Sequence, residues 1–272
     1  MNDKSTSHPQ DTWARGDAYE PYVGRWSRVV AREFLTWLGV APGSSWLDVG
    51  CGTGALTQTI LQVAAPAHVK GIDRSDGFIG HARERVRDDR ARFEVGDAQA
   101  LSDETASFDA AVSGLMLNFV PQPQRAASEM ARVVKPGGIV AAYLWDYAGK
   151  MEFMQYFWNA AMAVDPSAVE LEEGRRFPLC QPNPLAELFQ SVGLAQVEVR
   201  AIEIATHFRD FADYWTPFLG GQGAAPSYAM SLSEDKLIAI RERIRARLPF
   251  ASDGSIPLEA RAWAVRGTRA AV

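Results

Sequence analysis

The chain has 272 residues, 47% of them hydrophobic, and a formal net charge of −5, enough for one large domain or a core domain with a smaller appendage. The acidic balance argues against a nucleic-acid or anionic-membrane partner, and no apolar run approaches the roughly 20 residues of a bilayer span. Two cysteines, Cys51 and Cys180, make neither a disulfide framework nor a zinc site, and the polar start MNDKSTSHPQDTW reads as a frayed tail without a signal sequence, so a soluble cytoplasmic protein with free thiols is expected.

Residues 19–39 (YEPYVGRWSRVVAREFLTWLG) carry Val29, Val30, Phe34, Leu35 and Leu38 at helical spacing. After the turn VAPGSS, WLDVG reads as a short buried strand, and TGALTQTILQVA as a helix that opens at glycines. VKGIDRS is a second strand ending in an acid, and DGFIGHARERVRDD a helix with a mixed-charge face. ARFEVGDAQAL is a third strand with its loop, and FDAAVSGLMLNFV a fourth strand running into a loop. PQPQRAASEMARVVKPGG predicts a helix stopped at Pro-Gly-Gly, and IVAAYLWD is a fifth strand. Five alternations of strand and helix predict a parallel sheet covered on both faces.

The pattern then loosens. MEFMQYFWNAAMAVD predicts an aromatic helix followed by a turn-rich segment. NPLAELFQSVGL is a helix and AQVEVRAIEIATHF a sixth strand. DFADYWTPFLGGQGAAPSY interrupts before the helix SEDKLIAIRERIRARL, and EARAWAVRG supplies a last strand. Arg241, Arg243, Arg245 and Arg247 could suggest RNA, but with Ile244 and Leu248 turned inward a solvated face is the preferred reading.

The stretch LDVGCGTG concentrates the chemistry. Gly50, Gly52 and Gly54 let the backbone turn sharply and approach a ligand at the mouth of a helix. Gly50, Gly52 and Ala55 also satisfy the dinucleotide fingerprint, with Asp73 placed to bind ribose hydroxyls in either case. Electrostatics separates the two ligands. Asp48, Asp73 and Asp97 gather at the carboxyl ends of the first three strands, where ligands of open α/β sheets bind. Such an acid ring disfavours a pyrophosphate and suits a cation carrying a ribose. A unit-charge pair at 4 Å is worth about 1–4 kcal/mol at effective dielectrics of 80 to 20.

S-adenosylmethionine has that chemistry, and at this point the chain resembles the class I SAM-dependent methyltransferases. The matching motifs are LDVGCGTG (47–54), GIDRSDGFI (71–79), GDAQAL (96–101), FDAAVSGLMLNFV (108–120) and EMARVVKPGGIVAAYLWD (129–146). The resemblance covers residues 40–146 strongly and reaches the C-terminal strands weakly. It points to the broad group that includes the ubiquinone/menaquinone-type small-molecule enzymes. It implies a Rossmann-like, seven-stranded, mostly parallel sheet with an antiparallel last strand. Lid insertions are expected at about 147–184 and 207–256, after strands five and six. Residues 1–39 would form a tail and a cofactor-covering helix, and 40–272 the catalytic domain.

By the same resemblance, Asp48, Gly50, Cys51, Gly52 and Gly54 hold the methionine part of SAM, with Cys51 a small filler rather than a nucleophile. Asp73, with Arg74 beside it, faces the ribose. Phe78 lies against the adenine or is a core phenylalanine. Asp97 and the Ala98 amide read the adenine edge. Ser113 or Gly114 offers a backbone carbonyl to the ammonium. Arg25 could pair with the SAM carboxylate and Trp26 close the pocket, or both could belong to a surface helix with an ordinary salt bridge.

Methyl transfer from a sulfonium needs alignment, exclusion of water and sometimes a base, with S-adenosylhomocysteine as product. No decisive base is visible. His81, among charged neighbours, reads as solvated. His207, Asp146, Tyr147 and Asn118 are weak candidates, with a strand-end cap the alternative for Asp146. Phe119, Trp145, Phe157 and Trp215 are candidate acceptor contacts, although aromatic stripes are more often core. After the fourth strand there is no D/N-P-P-Y/F/W motif, which weakens an amino-methylating nucleic-acid reading, and nothing resembles the acid ligand set of metal-dependent catechol methylation, so no metal is expected. The preferred reading is methylation of a small hydrophobic or aromatic metabolite by a monomer or homodimer. A non-catalytic SAM binder, an RNA or protein methyltransferase and an NAD-dependent dehydrogenase are the rivals.

Overall fold

The computed structural model describes residues 20–221 and 223–271, so the expected tail at 1–19 lies outside the described residues. Strand β1 (Ser45–Val49) is buried along its whole length, as a strand covered on both faces must be. It pairs in parallel with β2 (His68–Asp73) on one side and β4 (Phe108–Gly114) on the other. With β3 (Ala91–Val95), β5 (Val134–Trp145), β6 (Leu194–Phe208) and β7 (Ile256–Arg269) the sheet has seven strands in the order β3-β2-β1-β4-β5-β7-β6. β7 runs antiparallel between β5 and β6. The expected Rossmann-like sheet and its antiparallel last strand are therefore observed.

Two apolar layers cover the sheet. One holds α1 (Arg25–Leu38), α2 (Ala55–Val63) and α3 (Asp76–Arg85), packed with Trp46, Ala110 and Val112. The other holds α4 (Pro123–Val133) and α7 (Pro182–Ser191), packed with Leu47, Val49 and Ala111. Alternate residues of β1 thus serve opposite layers, as strand geometry requires. The α1 stripe differs from the expected one by one residue. Val30, Phe34, Leu35 and Leu38 are buried, but Val29 is 46% exposed. A π-helical turn, Glu20–Gly24, leads into α1, and Gly39 ends it in the left-handed conformation.

The Pro-Gly-Gly of 136–138 does not simply stop a helix. α4 ends at Val133 and the chain passes directly into β5, with a register shift against β4 between Phe108 and Ala110. Gly138 is needed there, because a Cβ would stand 2.6 Å from the Asp109 carbonyl oxygen.

Residues 146–181 carry α5 (Glu152–Val164) and the short α6 (Glu173–Arg176). Residues 209–255 carry α8 (Phe211–Trp215), α9 (Ala224–Ser231) and α10 (Glu234–Arg245). Both segments join the α1 layer through a cluster of rings. Phe157 stacks on Phe218 at 4.6 Å, and Tyr22 meets Phe153 and Phe218 edge-on at 5.6 Å each. The Tyr214 hydroxyl donates to the Phe153 carbonyl at 2.6 Å and so ties the second insertion to the first. Ile244 on α10 and Leu248 just beyond its end are buried, while Arg241 and Arg245 lie over Phe211. Among the described residues no helix is long and apolar enough to cross a membrane. Phe218, with no solvent exposure, sits at the centre of this cluster. Truncating it, Phe218→Ala, should cost about 3–5 kcal/mol, to be checked by equilibrium denaturation.

Candidate active site

Strand order reverses between β1 and β4, and the glycine loop leaves β1 at that switch point, the usual ligand crevice of an open α/β sheet. The Gly50 and Cys51 amides both donate to the Ile72 carbonyl, at 2.8 and 2.9 Å, which fastens the loop to the end of β2. Gly50 has φ +74°, and a Cβ there would strike the Met116 side chain. Gly52 has φ +52°, and none of the described residues comes within 4 Å of its Cβ position. Gly54, at φ +83°, caps the N-terminus of α2. Loop and helix mouth therefore present backbone that a ligand can approach closely.

Asp48 is wholly buried on the α2 side of this loop. Its Oδ2 accepts the Thr57 hydroxyl at 2.7 Å, and its Oδ1 has no hydrogen-bond partner among the described residues. Burial pushes its pKa up to about 7, against the hydrogen bonds from Thr57. An orphaned, desolvated carboxylate beside an open backbone cradle is the arrangement a cationic ligand would complete. Ser113 Oγ and Asn118 Nδ2, at and just after the end of β4, are likewise buried without partners among the described residues. In register with Val49's neighbours, Ser113 lies on the α4 side of the sheet. Cys51 is buried with its thiol pKa raised, by burial first and then by Asp48 and Asp73, so it stays protonated.

Asp73 closes the other side of the cradle. Its Oδ2 accepts the Gly52 amide at 3.0 Å and its Oδ1 the Ser75 amide at 2.9 Å. Burial raises its pKa, against those two bonds. A carboxylate has about four acceptor sites, so two further donors can be taken. Ser75, not Asp73, caps α3, by accepting the Phe78 amide at 3.2 Å. Phe78 is half-buried, Arg74 exposed and Ala98 half-buried. Asp97 is exposed and turns on itself to accept from Gln99, which lowers its pKa.

Several candidates lie elsewhere. Arg25 pairs with Asp213 of α8 at 3.0 Å, and its guanidinium is sandwiched at 4.7 Å over both Trp26 and Phe208. Trp26 meets Phe208 edge-on at 5.7 Å. In this structure both residues dock α1 on the second insertion, which corresponds to the salt-bridge alternative. His207 points outward from the edge strand β6, opposite Pro257, because Thr206 and Phe208 take the inward positions. It is exposed on the wrong face for a base. Asp146 is buried as a cap, with Oδ1 accepting the Gly149 amide at 2.8 Å and Oδ2 meeting Arg261 at 3.3 Å. Trp145, Phe157 and Trp215 are core residues, at 2%, 0% and 7% exposure, rather than pocket walls. Their pattern was compatible with either role, and burial decided it.

Phe119 and Tyr147 come together, packed around Phe177 at 5.1 and 5.9 Å between centroids. They line a small cavity of about 10 Å³ with Tyr22, Val23, Met154, Ala224 and Glu173. That is room for about one water. Glu173 was not singled out from the sequence, because LEEGRR reads as an ordinary solvated turn, yet it is 5% exposed. Met154, Val23 and Ala224 carried no signal beyond being apolar.

The raised Asp48 pKa has a definite sign. The folded ligand-free protein holds this proton more tightly than the unfolded chain. The associated stability is present below about pH 4 and is lost as pH rises through about 7. Asp48→Asn should therefore gain on the parent as pH rises from 5 to 8, by up to about 3 kcal/mol. Denaturant melts of both proteins across that range check it, and a pH-independent difference would refute it.

Comparison with known proteins agrees with the geometry. A family model described as a methyltransferase domain matches residues 47–142. A demethylmenaquinone methyltransferase of Staphylococcus aureus is 30% identical over 176 residues, covering 60% of this chain and 73% of the relative. The fold is shared with a Haemonchus contortus phosphoethanolamine N-methyltransferase in complex with S-adenosyl-L-methionine, at TM-score 0.59 and 18% identity, over 94% of this chain and 56% of that one. It is also shared with the cyclase SpnF, at TM-score 0.52 and 22% identity, over 91% and 82%. With its motif-bearing glycine loop at the switch point of a seven-stranded sheet, the chain belongs to the class I SAM-dependent methyltransferases, with S-adenosylmethionine as its cofactor.

Proposed function

We propose that this methyltransferase acts on a small hydrophobic or aromatic metabolite. The observation that carries the reading is the cavity where the strand ends meet both insertions. Phe119 follows β4, Tyr147 follows β5, Met154 comes from α5 and Ala224 from α9. Apolar and aromatic walls with few polar groups suit such an acceptor. The Staphylococcus relative supports it, since its name gives demethylmenaquinone, an apolar quinone, as the compound methylated.

When bound, S-adenosylmethionine supplies a methyl group on a sulfonium with a neutral thioether as leaving group. Gly50, Gly52 and Gly54 hold its methionine part by close backbone approach, and Asp48 offers its orphaned Oδ1 to the positive end. Asp73 takes the two ribose hydroxyls on its remaining acceptor sites. Phe78, Asp97 and Ala98 bound the adenine side. Ring walls and Asn118 orient the acceptor, and alignment of this kind can contribute about 7–11 kcal/mol. The cavity must widen to admit an acceptor, and Gly221 and Gly223, at φ +68° and +87°, provide a hinge between α8 and α9.

Losing two hydrogen bonds to a charged acceptor costs about 3–6 kcal/mol, so Asp73→Ala should weaken SAM binding by roughly 10²–10⁴-fold. Calorimetry on the folded variant checks this, and near-normal affinity would sink the ribose assignment. The acceptor class is tested with SAM labelled in its methyl group, purified protein and a cell extract separated by size. Label in the small-molecule fraction supports the reading, and label in macromolecules replaces it with an RNA or protein acceptor. Intact SAM binding without transferred label favours a non-catalytic binder.

A further inference from the structure

We propose that the chain forms a homodimer through β6, whose free edge pairs antiparallel with β6 of a second copy about a two-fold axis at Val199.

β6 ends the sheet on the side of β7. Which of its backbone groups face outward follows from β7. The Arg261 amide donates to the Lys150 carbonyl at 2.7 Å, and the Arg261 carbonyl accepts the Asp146 amide at 2.9 Å. Arg261 thus turns its backbone to the β5 side. In an antiparallel ladder that direction alternates residue by residue. Ala260, Ala262, Ala264 and Arg266 therefore turn theirs to Ile204, Ile202, Arg200 and Glu198. Val199, Ala201, Glu203 and Ala205 are left with N–H and C=O groups directed out of the sheet. Among the described residues no backbone group outside the ladder bonds to them. Such a row of groups is a template for another strand.

The opposite edge of the sheet is guarded. The Val69 amide donates to the Arg90 carbonyl, so by the same alternation the Phe93 carbonyl of β3 points outward. There it accepts from the Arg83 guanidinium at 2.6 Å. β3 is five residues long and β6 fifteen. One edge is short and capped, and the other is long and open.

Charge selects the occupant. Glu198 and Arg200 lie on one face of β6 with one residue between them. Pairing about Val199 sets Glu198 of each copy opposite Arg200 of the other, so the contact is made twice. Centred on Glu198, Arg200 or Glu203, like charges would meet. Centred on Ala201 or Ile202, Arg200 would face an isoleucine. Arg200 is exposed, with no hydrogen bond or ion pair among the described residues. Glu198 accepts from Trp37 at 3.3 Å and from Arg266 at 2.7 Å, which fixes its position, and the Arg266 bond lowers its pKa most. With Val199 in a hydrogen-bonded pair, Glu198 and Arg200 fall in the flanking pairs, where side chains stand closest. Opposite charges so placed stabilise a strand pair. Residues 198–201 are exposed or half-buried on both faces, so a second strand can reach them. From Ile202 onward alternate residues are buried. A foreign strand would have to bring the same Glu-x-Arg order, which every copy of this chain already carries.

The test is the mass of the full chain by sedimentation over a range of concentrations. Wild type should reach twice the chain mass at about 100 μM, a concentration that populates any contact of micromolar affinity. Val199→Pro removes an outward N–H and no bond to β7, so it should fold and stay monomeric. Arg200→Glu and Glu198→Arg should each be monomeric alone. Mixed, they should dimerise, because the mixture restores opposite charges at both positions. Val199→Cys should form an intermolecular disulfide in air, since Cα atoms of a hydrogen-bonded pair stand about 5.5 Å apart. Ala201→Cys should not, because its two copies would stand about 14 Å apart. Monomeric wild type, a dimer retained in Val199→Pro, a mixture that fails to associate, or Ala201→Cys linking as readily as Val199→Cys would each overturn the proposal.

Discussion

Two amides converging on one carbonyl hold the site together. Gly50 and Cys51 both donate to Ile72, so the chain leaving β1 is pinned to the end of β2 before it turns into α2. The same turn lets the Gly52 amide reach Asp73, which also accepts from Ser75 at the mouth of α3. Strand ends, helix mouths and two carboxylates are thereby set in one frame. A positive φ at Gly50, Gly52 and Gly54 is the backbone condition for it. Near Gly50 there is also no room for a side chain, since Met116 occupies the space.

The frame stores an electrostatic tension. Asp48 is removed from water with, among the described residues, Thr57 alone to support one oxygen, and its proton affinity rises accordingly. On the proposed assignment a cationic ligand would remove that cost, and pre-organised groups that await charge are worth most in such a dry place. On that assignment, a sulfonium or ammonium bound there would release the proton and couple cofactor binding to the protonation of Asp48.

On the acceptor side the organising force is burial of aromatic rings. Tyr22, Phe153, Phe157, Tyr214 and Phe218 join the N-terminal segment and both insertions into one apolar body. Arg25 reinforces the joint, through Asp213 and between Trp26 and Phe208. The small cavity is what remains where this body meets the ends of β4 and β5. Glu173 enters it because α6 lies directly on the loop after β5.

The sequence alone determined what depends on short-range rules. Strand and helix alternate with clear periods, and the glycine loop, Asp48 and Asp73 fall within one strand-turn-helix unit and its successor, so their placement at the sheet edge was legible. The last strands were legible as strands from composition. Residues whose role depends on distant packing were not. Phe157 and Trp215 could have been wall or core, and stacking on Phe218 and Phe211 made them core. His207 was placed by the alternation of an edge strand, which turned it to solvent. Arg25 was claimed by Asp213, 188 residues away. Glu173 in LEEGRR has the local signature of a solvated turn. Only the tertiary structure buried it, because burial is a property of what packs around a residue and not of its neighbours in the chain.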